Sequence, residues 1–124
     1  MSNSYVLGRG RENNLIVKLR KKGWFAIRGS GSKAGMVIVE GKKYFPIDIV
    51  AVKKDGKYPR VLFIQVSKYF SDIDSIEKKY LKVWAKTVQA IPLLAFTFEK
   101  RSTKNKKRGS WVFIDLFTNE NIEL

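Results

Sequence analysis

The chain has 124 residues, 44% of them hydrophobic and 13% aromatic, which suits one packed core and argues against a disordered basic tail. It contains no cysteine and no histidine, and this excludes disulfides, structural zinc, thiol catalysis and every imidazole-based mechanism. Twenty-five Lys and Arg against eleven Asp and Glu give a net charge of +14, which favours a polyanionic partner, nucleic acid before an acidic membrane or protein.

Residues 1–8 lack the apolar core of a signal peptide and read as a loose start to a single domain spanning 1–124. No apolar run approaches the roughly 20 residues that cross a bilayer, so a soluble cytoplasmic protein without membrane contact is expected. From Gly10 the pattern is helical, with Glu12, Ile16 and Leu19 at i, i+4 and i+7 and Leu15 beside them. Gly23 ends that helix after Lys21 and Lys22, whose charges suit the negative end of its dipole. Residues 24–28 then read as a strand, 29–35 as a Gly/Ser loop, and 36–40 and 44–53 as strands joined by Gly41-Lys42-Lys43. Pro46 suits a strand start or edge. Asp55-Gly56 is a turn signal leading into a strand over 61–68.

The second helix opens at Asp74-Ser75-Ile76-Glu77, a capping-box pattern. Ile76, Tyr80, Val83, Trp84 and Val88 are expected on its buried stripe, with Lys78, Lys79, Lys82 and Lys86 largely off it. Residues 92–98 and 111–116 are strands, and 99–110 between them is a basic hairpin loop. Trp24, Trp84 and Trp111 each lie in apolar patterns and read as core residues. The order is helix, several strands, helix, two strands: an α/β fold with a mixed central β-sheet flanked by helices.

Asp48 carries the chemistry. It lies between Ile47 and Ile49-Val50 in an apolar run, and a carboxylate there must meet a partner, because burying a bare charge is far too costly. A structural hydrogen bond is one answer and a divalent cation the other. Glu12 is equally two-sided: the helix dipole favours a glutamate in a first turn, yet this one shares a face with Ile16 and Leu19. With histidine and cysteine absent, oxygen ligands remain, and these suit Mg²⁺ or Mn²⁺.

Arg9-Gly10-Arg11-Glu12, Gly23-Trp24-Phe25-Ala26-Ile27-Arg28, Ser30-Gly31-Ser32-Lys33 and Pro46-Ile47-Asp48-Ile49 occur in that order before the strand at 61–68. In this the chain resembles the archaeal Holliday-junction resolvases, dimeric members of the PD-(D/E)XK nuclease superfamily, over about residues 9–115. The resemblance implies a nuclease-like core and metal-assisted phosphodiester hydrolysis. It implies a site made by a helix glutamate (Glu12), a loop serine (Ser30), a strand aspartate (Asp48) and a Glu-x-Lys motif. Here that motif reads Gln65-Val66-Ser67: one ligand charge is lost, and serine replaces a cation. Lys68 stands three positions from Gln65, so in a regular strand it faces the other way unless a β-bulge intervenes.

Three readings follow. The first is a homodimeric DNA-binding protein that recognises four-way or other branched DNA through its phosphates, with impaired or no cleavage. The second is an active Mg-dependent junction endonuclease using Glu12, Asp48, Gln65 and a displaced Lys68, with Glu12, Asp48 and Gln65 as metal ligands. The third is an RNA-binding or nucleoid-packing protein. Candidate nucleic-acid contacts are Arg9, Arg11, Arg28, Ser30, Ser32, Lys33, Lys100, Arg101, Lys104, Lys106, Lys107 and Arg108.

Overall fold

The computed structural model describes residues 3–29, 36–55, 58–67, 74–97 and 109–124, and at 3–9, 55, 58 and 59 the backbone alone. Helix α1 (Asn3–Lys21) starts well before Gly10, so residues 3–8 are helical rather than a loose start. A glycine in a helix costs only about 1 kcal/mol relative to alanine, and neither Gly8 nor Gly10 stops this one. Gly23 does. At φ 92° it lets its own N–H reach Arg20 O at 3.1 Å and Trp24 N–H reach Leu19 O at 3.1 Å, the paired bonds of a glycine-terminated helix.

Strand β1 (Phe25–Arg28) follows, then a hairpin of β2 (Val37–Val39) and β3 (Lys42–Tyr44). Its turn is Glu40-Gly41, both at positive φ, as a two-residue hairpin of this hand requires. The expected strand over 44–53 is therefore divided. β3 pairs back on β2, residues 45–48 leave the ladder, and β4 (Ile49–Asp55) begins one residue after Asp48. Pro46 explains the break: it has no N–H to donate and restricts the residue before it, and it is fully buried rather than at a strand edge.

β5 (Tyr58–Val66) pairs with β4 from Asp55↔Tyr58 to Ile49↔Ile64. It starts earlier than expected and ends before Ser67. Helix α2 (Ser75–Val88) then crosses over to β6 (Ile91–Thr97), which lies parallel to β5. β7 (Trp111–Asp115) and a short β8 (Glu120–Ile122), which the sequence pattern did not suggest, complete a sheet of order β1-β4-β5-β6-β7-β8. All its pairs but β5–β6 are antiparallel.

The two faces of the sheet carry separate cores. On one, Leu15, Ile16 and Leu19 of α1 pack with Trp24 on Ala26, Ile49, Ala51, Leu62, Ile64, Leu93 and Ala95. On the other, Leu81 of α2 packs with Leu94, Val112, Ile114 and Leu116, flanked by Ile47 and Phe63. The α2 stripe is therefore rotated from the expected one: Leu81 and Ala85 are buried, while Val83 and Val88 are exposed. Trp84 and Trp111 are only partly buried, unlike Trp24.

Asp74 caps α2 as expected, one oxygen accepting from Ile76 N at 2.8 Å and Glu77 N at 3.2 Å. Replacing it with alanine should lower stability by about 1 kcal/mol, read as a lower urea midpoint at unchanged slope. Glu77 does not return the reciprocal bond of a capping box, because both its oxygens are engaged elsewhere.

Candidate functional site

The residues of interest gather where β4 begins and β5 ends. Asp48 is tied down on three sides. Its N–H donates to Ile64 O at 2.9 Å, its carbonyl accepts from Gly29 N at 2.8 Å, and its Oδ2 accepts from Val66 N at 2.8 Å. Gly29 makes the close approach possible, since a Cβ there would lie 3.0 Å from Ile47 O and 3.2 Å from its Cγ2. Asp48 is thus not inside a strand. It occupies the bend that feeds one, with its carboxylate against the end of the neighbouring strand.

Burial pushes the Asp48 carboxyl up to about 8, and Glu12 and Glu77 push in the same direction. The Val66 N–H and the Arg28 guanidinium oppose that shift without cancelling it. A carboxyl held this way takes up either a proton or a cation.

Glu12 lies on the α1 side of the sheet. Its Oε1 is 3.4 Å from Arg28 Nε, and the Arg28 guanidinium also donates to Asn13 Oδ1. Arg28 shares a face with Ala26, which alternation along β1 directs toward α1. Arg11 is partly buried on the same helix.

Gln65 lies on the α2 side and is only 6% exposed. Its Nε2 donates to Glu77 Oε1 at 3.1 Å, and Glu77 Oε2 accepts from Phe45 N at 2.9 Å. The Gln65 carbonyl oxygen, Oε1, is buried with no hydrogen-bond partner. Burial also raises the Glu77 carboxyl above its usual range, against the Phe45 and Gln65 hydrogen bonds and Lys42, which lower it. Ser67 follows the end of β5 and donates its backbone N–H to Ala95 O at 2.9 Å.

Asp48 thus stands between two pairs, Glu12–Arg28 on one face and Gln65–Glu77 on the other. Among the described residues no three carboxylates converge as a ready metal cluster. Glu77 is the participant that sequence reasoning missed. Its place in the first helical turn explains its presence by the dipole alone, and only the docking of α2 brings it to Gln65. Ser30, Ser32, Lys33, Lys68, Lys100, Arg101, Lys104, Lys106, Lys107 and Arg108 lie outside the described residues, as does the side chain of Arg9. On the outer side of α2, Ser75, Lys78, Lys79, Lys82 and Val83 line an open groove of about 390 Å³.

Residues 3–123 match the family model described as archaeal Holliday junction resolvase (hjc). The chain belongs to that family. Among solved structures it is similar to a Holliday junction resolvase from the hyperthermophilic archaeon Archaeoglobus fulgidus. The two share 25% identity at a TM-score of 0.56, over 89% of this chain and 81% of that one. The archaeal resolvases lie in the PD-(D/E)XK nuclease superfamily and are generally metal-dependent. The expected α/β architecture with a mixed central sheet is the fold found here. Among the described residues no helix is long and apolar enough to cross a membrane.

Proposed function

We propose that this resolvase-family chain binds four-way or similarly branched DNA through its phosphates and hydrolyses it slowly. The observation that carries the reading is the pair at the end of β5. Gln65 is a neutral carboxamide whose Nε2 is spent on Glu77, and position 67 holds a serine where the family's lysine is expected.

The donor set fits a divalent cation. Every candidate ligand is an oxygen, and the orphaned Gln65 Oε1 together with the cation-seeking Asp48 supports Mg²⁺ or Mn²⁺ at this strand end. Asp48 and Gln65 would hold the ion; Glu12 would join if Arg28 released it. Bound there, the ion would lower the pKa of a water and offset charge at the scissile phosphate. The chain's own residues do the rest. Arg28, already beside Glu12, can turn toward a phosphate, and the Val66 N–H holds Asp48 in place. No ammonium at position 67 is available to position the attacking water.

DNA contact is assigned to Arg9, Arg11 and Arg28, to Ser30, Ser32 and Lys33, and to Lys100, Arg101, Lys104, Lys106, Lys107 and Arg108. The lysine-lined groove of α2 adds a second positive track. A two-fold homodimer, suggested by the resemblance, would present such tracks to two arms of a junction at once.

Gel competition between a four-way junction and duplex of equal length tests the proposal, with EDTA present and light scattering reporting the dimer. Junction preference should be clear. Affinity should fall by about 0.9 log units per log unit of salt for each phosphate neutralised on duplex DNA. Alanine at Lys104, Lys106, Lys107 and Arg108 together should flatten that slope. A flat slope in the parent, or equal affinity for RNA, duplex and junction, would defeat the reading.

A further inference from the structure

We infer that Glu77, reaching from α2, supplies the negative charge that Gln65 lacks, so that Asp48, Gln65 Oε1 and Glu77 together form a divalent-cation site. The inference deepens the proposed function by naming its metal ligands, and it rests on that reading only for the site's role in hydrolysis.

Three observations on one small region support it. First, the Gln65 carbonyl oxygen is buried and unpartnered. Leaving a buried acceptor unsatisfied costs about 1–3 kcal/mol, so such an atom in a native fold asks for an explanation, and a bound ion is one of the few available. Second, the carboxamide's other end is 3.1 Å from a carboxylate, so one unit of negative charge lies within a side chain's length of the orphaned oxygen. Third, the Asp48 carboxylate lies against the same strand end: its Oδ2 accepts from the N–H of Val66, the residue after Gln65, at 2.8 Å.

The ligand arithmetic is consistent. Mg²⁺ keeps several waters and uses one or two carboxylates, so two carboxylates and a carbonyl make a sufficient protein share. Each Glu77 oxygen accepts one hydrogen bond, from Gln65 Nε2 and from Phe45 N, and each retains a lone pair. These bonds also fix the carboxylate's orientation, as outer partners of metal ligands do. Glu12 offers no equal substitute, because its Oε1 faces Arg28 on the other side of the sheet. The charge has therefore moved from the strand to the helix that covers it.

The test is a Mn²⁺ titration of the full chain without DNA, followed by electron paramagnetic resonance of the free ion and by calorimetry. The parent should bind one ion per chain at this site. Glu77→Gln should weaken binding at least tenfold and Gln65→Leu by a similar factor. Glu120→Gln, which removes one charge from an exposed strand end, should leave it within twofold. Glu77→Gln keeps an oxygen able to accept from Phe45 N, and circular dichroism checks that it folds. If it does not, Mg²⁺ shifts in the unmodified protein's amide spectrum decide: the Gln65 side-chain NH₂ and the Phe45 and Glu77 amides should move most. Equal affinity in Glu77→Gln and the parent, equal losses in Glu77→Gln and Glu120→Gln, or Mg²⁺ shifts centred away from these groups would overturn the inference. Junction binding in EDTA reads the proposed function separately, so either idea can fail without the other.

Discussion

Ser67→Lys should raise Mg²⁺- or Mn²⁺-dependent cleavage of four-way junctions by roughly a hundredfold or more. An amino group that positions water and offsets developing charge is commonly worth about 2.7–4 kcal/mol. Residues 65 and 67 alternate onto the same side of the chain, so a lysine at 67 would stand beside Gln65 rather than behind it. If Glu77 already restores the metal-site charge, the single change should suffice. Gln65→Glu with Ser67→Lys, which rebuilds the family motif, should then add little.

Gln65→Glu alone should in fact harm the metal-free protein. It replaces a hydrogen bond of 3.1 Å to Glu77 with two facing carboxylates in a largely buried place. Mn²⁺ should recover that stability. Adding Asp48→Asn to Ser67→Lys should abolish the gain in cleavage. Single-turnover assays on a synthetic junction measure all of these variants. Brisk cleavage by the unmodified protein, lost in Lys68→Ala and retained in Ser67→Ala, would show that Lys68 serves the site and that slow hydrolysis is the wrong reading.

In EDTA, the protein should become less stable as pH rises from 5 to 8. The Asp48 carboxyl titrates near 3.8 when unperturbed and at about 8 in the fold. Between those values the folded state keeps a proton that the unfolded state has lost. Stability is therefore greatest below the unfolded value and falls as pH climbs toward the folded one. Each pKa unit corresponds to about 1.4 kcal/mol, so the window is worth on the order of a few kcal/mol. Glu77 is raised too and adds the same sign.

The absence of histidine keeps this interval free of the usual titrating side chain. Asp48→Asn retains an acceptor for Val66 N and should flatten most of the slope, leaving the variant more stable than the parent at pH 8. Saturating Mn²⁺ should also flatten it, by holding Asp48 charged. Urea midpoints at three pH values test this. A parent that gains stability with pH, or an Asp48→Asn variant with the same slope, would refute the account of Asp48.

Much of the architecture is legible in local patterns. Asp74 before an apolar-periodic run predicts the α2 cap, Gly23 after two lysines predicts the end of α1, and apolar runs predict the sheet strands. These signals are local because capping, glycine stops and strand periodicity act over a few residues. The departure at Gln65-Val66-Ser67 is also visible in the sequence alone, since it concerns residue identity and spacing rather than contact.

Tertiary structure decided the rest. The α2 pattern offers apolar residues around much of its circumference, and docking on Leu94 and Ile114 selected Leu81 and Ala85 while leaving Val83 and Val88 in solvent. Residues 45–48 read as strand by composition, yet burial of Pro46 and pairing of β3 with β2 removed them from the ladder. That displacement aims the Asp48 carboxylate at Val66 N. The contact between Gln65 and Glu77 spans a crossover from strand to helix, where no periodicity operates. Only the packing of α2 over the end of β5 could bring a neutral carboxamide and a displaced carboxylate together.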